Sequence, residues 1–249
     1  MDKHRESGIT AAGLHLLAMA LMLCDHLWAA LFPAAEWLTC IGRMAFPIFA
    51  FLLAEGYRRT RDVRRYLLRL LAGALLSEIP FNLFYSGSAV YPYHQNVLWT
   101  FFIALLLMIL LDRVRQRFRP IPAVLLSAAL VLLGFLLGYG TMADYYGAGV
   151  LTALVFYFFR EKNVKCLLGQ LVCLYILHVH ILGGYYYSIP VSGFEIQIVQ
   201  QGLALTALVP IWLYRGRQGR HSRAFRAFCY LFYPAHMLAL FLLREMLLA

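Results

Sequence analysis

Apolar runs long enough to cross a bilayer follow one another along nearly the whole chain, at 9–32, 37–57, 66–86, 96–112, 121–139, 144–159, 166–188, 194–214 and 224–247. A helix crossing hydrocarbon needs about 20 mostly apolar residues, so the pattern predicts an all-α, polytopic transmembrane bundle of about nine helices. The run at 144–159 is short, and 194–214 opens on Glu195, Gln197, Gln200 and Gln201, which makes these two the least regular of the set. No gap exceeds about a dozen residues, too few to bury a core of its own. Residues 1–249 therefore read as one integral-membrane domain, without a linker or low-complexity segment.

Charge gives the bundle a direction. Nineteen of the 22 Lys and Arg residues fall in five gaps: Lys3 and Arg5; Arg58, Arg59, Arg61, Arg64 and Arg65; Arg113, Arg115, Arg117 and Arg119; Arg160, Lys162 and Lys165; and Arg215, Arg217, Arg220, Arg223 and Arg226. The alternate gaps, 33–36, 87–95, 140–143 and 189–193, contain none. Basic loops stay in the cytoplasm, so the N-terminus is expected inside and the C-terminus outside. Composition agrees, with 62% apolar and 14% charged residues. The net charge of +10 then reflects orientation in a bilayer, and no nucleic-acid partner is expected. Trp28, Trp37, Trp99, Tyr139, Tyr185, Tyr186, Tyr187, Trp212 and Tyr214 lie near span ends, where an interfacial aromatic belt accounts for them. Leu23, ahead of Cys24, stands where signal cleavage would need a small residue, so the first run reads as a retained helix.

Several chemistries have no footing. Cys24, Cys40, Cys166, Cys173 and Cys229 are scattered singly, which suits neither a disulfide framework nor zinc. His178 and His180 are two apart, on nearly opposite faces of a regular helix, so packing or hydrogen bonding inside the bundle is the preferred reading and no metal is expected. There is no Gly-rich phosphate loop and no G-x-S-G run.

Function is sought in the polar residues that lipid does not tolerate: Asp25, His26, Arg43, Glu55, Glu78, Asn82 and His236. A charge facing lipid at a helix centre costs about 2.5–3.5 kcal/mol, so these groups pair or line a wet cavity. His26 and Arg43 each lie six residues from the outer ends of neighbouring antiparallel spans, roughly 9 Å deep. Glu78 comes out at roughly 12 Å and His236 nearer mid-membrane. An Asp25–Arg43 ion pair and a polar recess opening outward are expected. Two readings stay open: a pair that locks helices with His26 as a hydrogen-bonded bundle residue, or a histidine poised as a general base. Asp25 and His26 are about 100° apart on a helix, which makes a direct bond between them awkward.

Asp25-His26, then Gly42-Arg43-Met44-Ala45-Phe46-Pro47-Ile48-Phe49-Ala50-Phe51-Leu52-Leu53-Ala54-Glu55-Gly56, then Ser77-Glu78-Ile79-Pro80-Phe81 resemble the TraX family. Gln95-Asn96-Val97-Leu98, Asp144-Tyr145-Tyr146-Gly147-Ala148-Gly149 and Tyr233-Pro234-Ala235-His236 continue the resemblance in the same order, over nearly the whole chain. The resemblance implies a bacterial cytoplasmic-membrane acetyltransferase that uses acetyl-CoA and no metal, with a pilin-like N-terminus or a glycan as acceptor. It implies site roles for Asp25, His26, Arg43, Asn96 and His236. On this footing the acetyl-CoA phosphates dock on Arg58, Arg59, Arg61, Arg64 and Arg65, and the thioester threads up between helices. His26 takes the acceptor's proton, Asp25 supports it electrostatically, and Arg43 or Asn96 stabilises the oxyanion. His236 is the rival base or a transient acyl carrier. A transporter of a small or lipid-linked substrate and a non-catalytic assembly factor are the alternatives, although no internal repeat of the transporter kind is found.

Overall fold

A computed structural model describes residues 8–191, 194–219 and 222–248; Lys3, Arg5 and Arg220 lie outside the described residues. The helices are α1 (Ala11–Ala30), α2 (Glu36–Gly42), α3 (Ala45–Arg59), α4 (Val63–Ser86), α5 (Val97–Arg117), α6 (Pro120–Gly140), α7 (Tyr146–Phe158), α8 (Val164–Tyr175), α9 (Leu208–Leu213) and α10 (Arg223–Leu248). Among the described residues seven helices, counting α2 with α3 and α8 with its π-helical extension Ile176–Leu182, are long and apolar enough to cross a membrane. The protein is a multi-pass, all-α membrane bundle.

Side-chain caps fix the helix starts. Thr10 Oγ1 accepts from the Gly13 N–H at 3.1 Å, Asp62 Oδ1 from Arg65 at 3.0 Å and Asn96 Oδ1 from Leu98 at 3.1 Å. Gly87 ends α4 at φ +73°, where a side chain would be strained.

Three elements depart from the hydrophobic pattern. The 37–57 run breaks at Arg43 and Met44, because Pro47 has no N–H to give the Arg43 carbonyl and its ring crowds that carbonyl. The run at 166–188 stops at Leu182, where Gly183 and Gly184 take φ of +60° and +114°. Beyond them β1 (Tyr186–Val191) and β2 (Phe194–Val199) form an antiparallel hairpin, with Tyr187 opposite Ile198. Glu195, Ile196, Gln197 and Ile198 alternate with period two, a strand signal inside what hydropathy alone reads as a helix start. A 3₁₀ segment, Gln200–Ala207, then leads into α9.

The charge pattern reappears as geometry. Ile9 pairs with Tyr214, Arg59 Nη2 donates to the Gly216 carbonyl at 2.7 Å, Lys162 Nζ donates to the Trp212 carbonyl at 3.2 Å, and Arg115 stacks over Tyr157 and Phe158. The basic gaps thus gather at one end, the cytoplasmic one by the positive-inside rule. Gln95 bridges to Ala143, and Tyr187 of the hairpin contacts Cys40, both at the opposite end. The core is built on α3, α5 and α7, with Ile48, Ala50, Leu105, Met108 and Leu154 almost fully enclosed. The short α7 is a buried interior helix, whereas α6 turns Ile121, Val124, Leu125 and Leu136 outward, as lipid-facing positions do.

Candidate functional site

Helix α1 carries two chemically distinct faces near its outer end. Asp25 turns toward α2, where it pairs with Arg43 Nη2 and accepts from Thr39 Oγ1 at 2.7 Å. Gly42 permits this approach, since a Cβ there would fall 2.5 Å from the Asp25 Cβ. His26 turns toward α4 and α10 instead, its ring 5.3 Å from Phe84 and 5.0 Å from His236. The two neighbours in sequence therefore serve different partners, as their angular separation on the helix requires.

Arg43 is held on three sides. Beyond Asp25, its Nε donates to the Thr39 carbonyl at 3.3 Å and Nη1 to Gln201 Oε1 at 3.1 Å. Gln201 Nε2 lies 3.0 Å from His178 Nδ1, and His178 Nε2 lies 3.2 Å from Thr152 Oγ1. Both Asp25 and Arg43 keep 17% of their side-chain surface, while His178 has none. A buried polar chain thus runs from α1 through the α2–α3 break to the 3₁₀ segment, the π-helix and α7. Tyr145, at φ +60°, stacks on Phe46 at 3.9 Å. A bulky residue in the left-handed region is strained and persists only where its surroundings impose it.

The second cluster is the histidine pair. His26 Nδ1 and His236 Nε2 are 2.7 Å apart, and His236 Nδ1 lies 2.6 Å from the Phe232 carbonyl. A carbonyl only accepts, so His236 carries its proton on Nδ1. With the ring neutral, Nε2 is then an acceptor and His26 must donate from Nδ1. The neutral His26 is left with its lone pair on Nε2, and among the described residues no hydrogen bond to that nitrogen is found.

Asn96, fully enclosed, sits below this level. Its amide donates to the Ala74 carbonyl at 3.0 Å and to Glu78 Oε2 at 2.5 Å while its oxygen caps α5, and Trp99 Nε1 also reaches Glu78 at 3.1 Å. Glu78 thereby finds neutral donors instead of a cation. Asn82 bonds the Ala89 carbonyl, in the 87–95 gap.

A cavity of about 720 Å³ opens at the basic end between α1, α3, α4 and α10. Arg59, Arg61, Arg65, Arg69 and Arg226 ring its mouth, and Met22, Val97, Leu98 and Tyr233 line its deep part. Glu55 sits in the wall, bonded to Arg59 Nε at 2.5 Å and receiving the Tyr214 hydroxyl at 2.8 Å. Burial and that bond push the Tyr214 phenol up to about 12, so it stays a donor. On α1, His15, Met19 and Met22 line the cavity; His26 lies 11 residues beyond His15, within about 20° of the same face and about 16 Å further along the axis. On α10, Cys229 and Tyr233 line it, and His236 is seven residues beyond Cys229 on the same stripe. The two helices that wall the deep end of the cavity thus carry the histidine pair about one turn beyond it.

The sequence-derived residues divide accordingly. Asp25 with Arg43 and His26 with His236 come together, while Asn96 sits with Glu78. Arg59, Arg61 and Arg65 line the cavity; Arg58 pairs with Glu55 at 3.0 Å outside it, and Arg64 is exposed on the far side of its turn. The cavity opens toward the basic end, where residue depths had suggested an outward recess. Depth fixes height and not the side on which space lies, and the outer side of the pair is packed by Leu27, Met237, Leu240 and Phe241. Thr39, Gln201, His178, Tyr145, Arg69 and Arg226 were missed as site residues. Gln201 stood out only as a polar residue in an apolar run, and nothing local marks Thr39. Among the described residues no cluster of His, Cys, Asp and Glu offers a metal-ligand set.

The family model described as TraX protein matches residues 11–244. A probable fimbrial assembly protein, FimC of serogroup H1 from Dichelobacter nodosus, is 26% identical over 245 residues, covering 94% of this chain and 95% of that one. No solved structure matches. With the family match spanning almost its entire length, the chain belongs to the TraX family.

Proposed function

We propose that the protein is an acetyltransferase of the bacterial cytoplasmic membrane, moving an acetyl group from cytoplasmic acetyl-CoA to an extracytoplasmic or membrane-embedded acceptor. The observation that carries this reading is the cavity that begins among arginines at the basic end and climbs one face of α1 to Met22 and Tyr233, about one helical turn short of the histidine pair. Arg59, Arg61, Arg65, Arg69 and Arg226 suit the phosphates of CoA. The apolar shaft of Met19, Met22, Leu53 and Leu98 suits a slender pantetheine arm and would exclude water from its thioester.

In this reading the acceptor's amine or hydroxyl attacks the thioester carbonyl, and His26 Nε2 takes its proton as the C–N or C–O bond forms. His236, anchored by the Phe232 carbonyl, orients His26 and shares the positive charge that develops. The fixed charge of Arg43 stabilises the tetrahedral oxyanion through its field, with three of its five N–H donors engaged by Asp25, Thr39 and Gln201. Asn96 serves the same centre by holding Glu78 and the start of α5 in place. Collapse breaks the C–S bond, and the proton held by His26 leaves on the CoA thiol.

The fimbrial assembly role in the relative's name favours a pilin-like acceptor over a glycan. Detergent-purified protein should bind acetyl-CoA and release CoA thiol when a pilin-like peptide with a free N-terminus is added. A transporter or a non-catalytic assembly factor releases no thiol, and that result would overturn the proposal.

A further inference from the structure

The deep end of the cavity is lined by Met22, Val97, Leu98 and Tyr233, of which Tyr233 alone carries a polar side chain. Its ring is 7% exposed and packs 5.8 Å from His236, so the phenol stands where the shaft meets the histidine pair. Among the described residues the Tyr233 hydroxyl makes no hydrogen bond to another side chain, and the residue is part of the cavity wall.

Val97, first residue of α5, lines the cavity with Tyr233, and its N–H, following the Asn96 cap, belongs to the positive end of the helix and has no partner within it. The tautomers fixed above keep the neighbouring His236 from receiving the Tyr233 O–H proton: Nδ1 is bound to the Phe232 carbonyl and Nε2 accepts from His26. The donor is thus left for whatever enters the shaft.

We infer that Tyr233 is a further catalytic residue, whose hydroxyl donates a hydrogen bond to the carbonyl oxygen of the incoming thioester and to the oxyanion that replaces it. The inference rests on the transferase reading. The phenol keeps its proton throughout: negative charge gathers on the former carbonyl oxygen as the acceptor adds, the O–H bond stabilises it, and the charge returns to the C=O bond as thiolate departs. Arg43 supplies a field from one side and Tyr233 the direct contact. Tyr and His three residues apart on α10 would then act on the two ends of one reacting group, electrophile and base.

The test uses the full-length protein in detergent with acetyl-CoA labelled at the thioester carbonyl. Isotope-edited infrared spectra of the bound donor are expected to show a lower carbonyl stretch than free acetyl-CoA, and Tyr233→Phe should restore it. Turnover of Tyr233→Phe should fall about 100- to 1,000-fold, the loss typical of one oxyanion donor, with donor affinity within about threefold of the parent, since a neutral hydrogen bond is worth only about 0.5–1.5 kcal/mol in binding. Replacing Tyr233 with fluorotyrosine, a stronger donor of the same shape, should lower the stretch further. An unchanged stretch and turnover in Tyr233→Phe, or no response to fluorotyrosine, overturns the assignment while leaving the transferase reading intact. Absence of donor binding and thiol release in the unaltered protein overturns the transferase reading itself.

Discussion

His26 and His236 hold each other about one helical turn beyond the cavity-lining Met22 and Tyr233, Nδ1 to Nε2 at 2.7 Å, and so tie α1 to α10, 210 positions away. The Phe232 carbonyl breaks the symmetry of the pair by fixing a proton on His236 Nδ1. One histidine is thereby an orienting partner and the other presents a basic nitrogen.

The two substitutions should differ in size. His26→Ala removes the base and should lower turnover about 100- to 10,000-fold with the protein still inserted and monodisperse. His236→Ala removes a hydrogen bond to a group that becomes charged, worth about 1.5–3 kcal/mol, or about 10- to 100-fold in rate. His236→Gln, whose carbonyl oxygen can still accept from His26, should recover part of that loss. Rates of thiol release measure all three, and a larger loss in His236→Ala than in His26→Ala would exchange the roles.

The Asp25–Arg43 pair depends on the absence of a side chain at Gly42, where a Cβ would meet the Asp25 Cβ at 2.5 Å. Gly42→Ala should force α2 from α1 and lower stability by about 1–3 kcal/mol. Asp25→Ala should cost more, about 3–5 kcal/mol, because it leaves the Arg43 guanidinium with only the neutral partners Thr39 and Gln201. Thermal unfolding in one detergent orders the variants; equal stability for Asp25→Ala and the parent would show that Arg43 is neutralised by another group.

The basic loop after α3 divides into cavity-lining and outward members, although its sequence gives no hint of which is which. Arg61→Glu, Arg65→Glu and Arg226→Glu each place an anion at the mouth and should weaken acetyl-CoA binding about 10-fold or more, by roughly 1.5–3 kcal/mol for a lost charged contact. Arg64→Glu, on the exposed side, should change it less than twofold at 0.15 M salt, where screening acts over about 8 Å. Calorimetric titration with acetyl-CoA distinguishes them, and a uniform response across the loop would mean that the phosphates are held by long-range attraction alone.

Hydropathy made the bundle legible because lipid imposes a length and an apolar surface on each spanning helix. It could not find the break at Arg43, which comes from Pro47 four residues later, nor the hairpin, whose period-two pattern is short and follows Gly183 and Gly184. The Asp25–Arg43 pair was readable because two short-linked antiparallel helices meet at equal depth. The His26–His236 bond was not, since nothing local says that the final helix returns beside the first. Gln201 and His178 illustrate a related limit: a buried polar residue announces that it needs a partner without naming it.

Orientation has its own test, independent of chemistry. Ser88 lies in an arginine-free gap and Arg61 in a basic one, both exposed and at opposite ends of the bundle. In a cysteine-free background expressed in intact bacterial cells, Ser88→Cys should react with a membrane-impermeant maleimide, and Arg61→Cys only after permeabilisation. Labelling in the reverse order would place the basic cavity mouth outside, away from cytoplasmic acetyl-CoA.

Ser77 gives a prediction that needs no substrate. Among the described residues its hydroxyl is enclosed on α4 without a partner, on the same stripe as Leu70, Phe81 and Phe84. An unsatisfied buried hydroxyl costs about 1–3 kcal/mol, and alanine is the better helix former by a few tenths of that. Ser77→Ala leaves a void no larger than the lost oxygen, so the cavity penalty is small against the desolvation relieved. The variant should therefore be more stable than the parent by about 1–2 kcal/mol, seen as a higher melting temperature in detergent. A lower melting temperature would mean that the hydroxyl bonds to something in the folded membrane protein, and addition of acetyl-CoA to both proteins would then tell whether that partner is the donor's pantetheine arm.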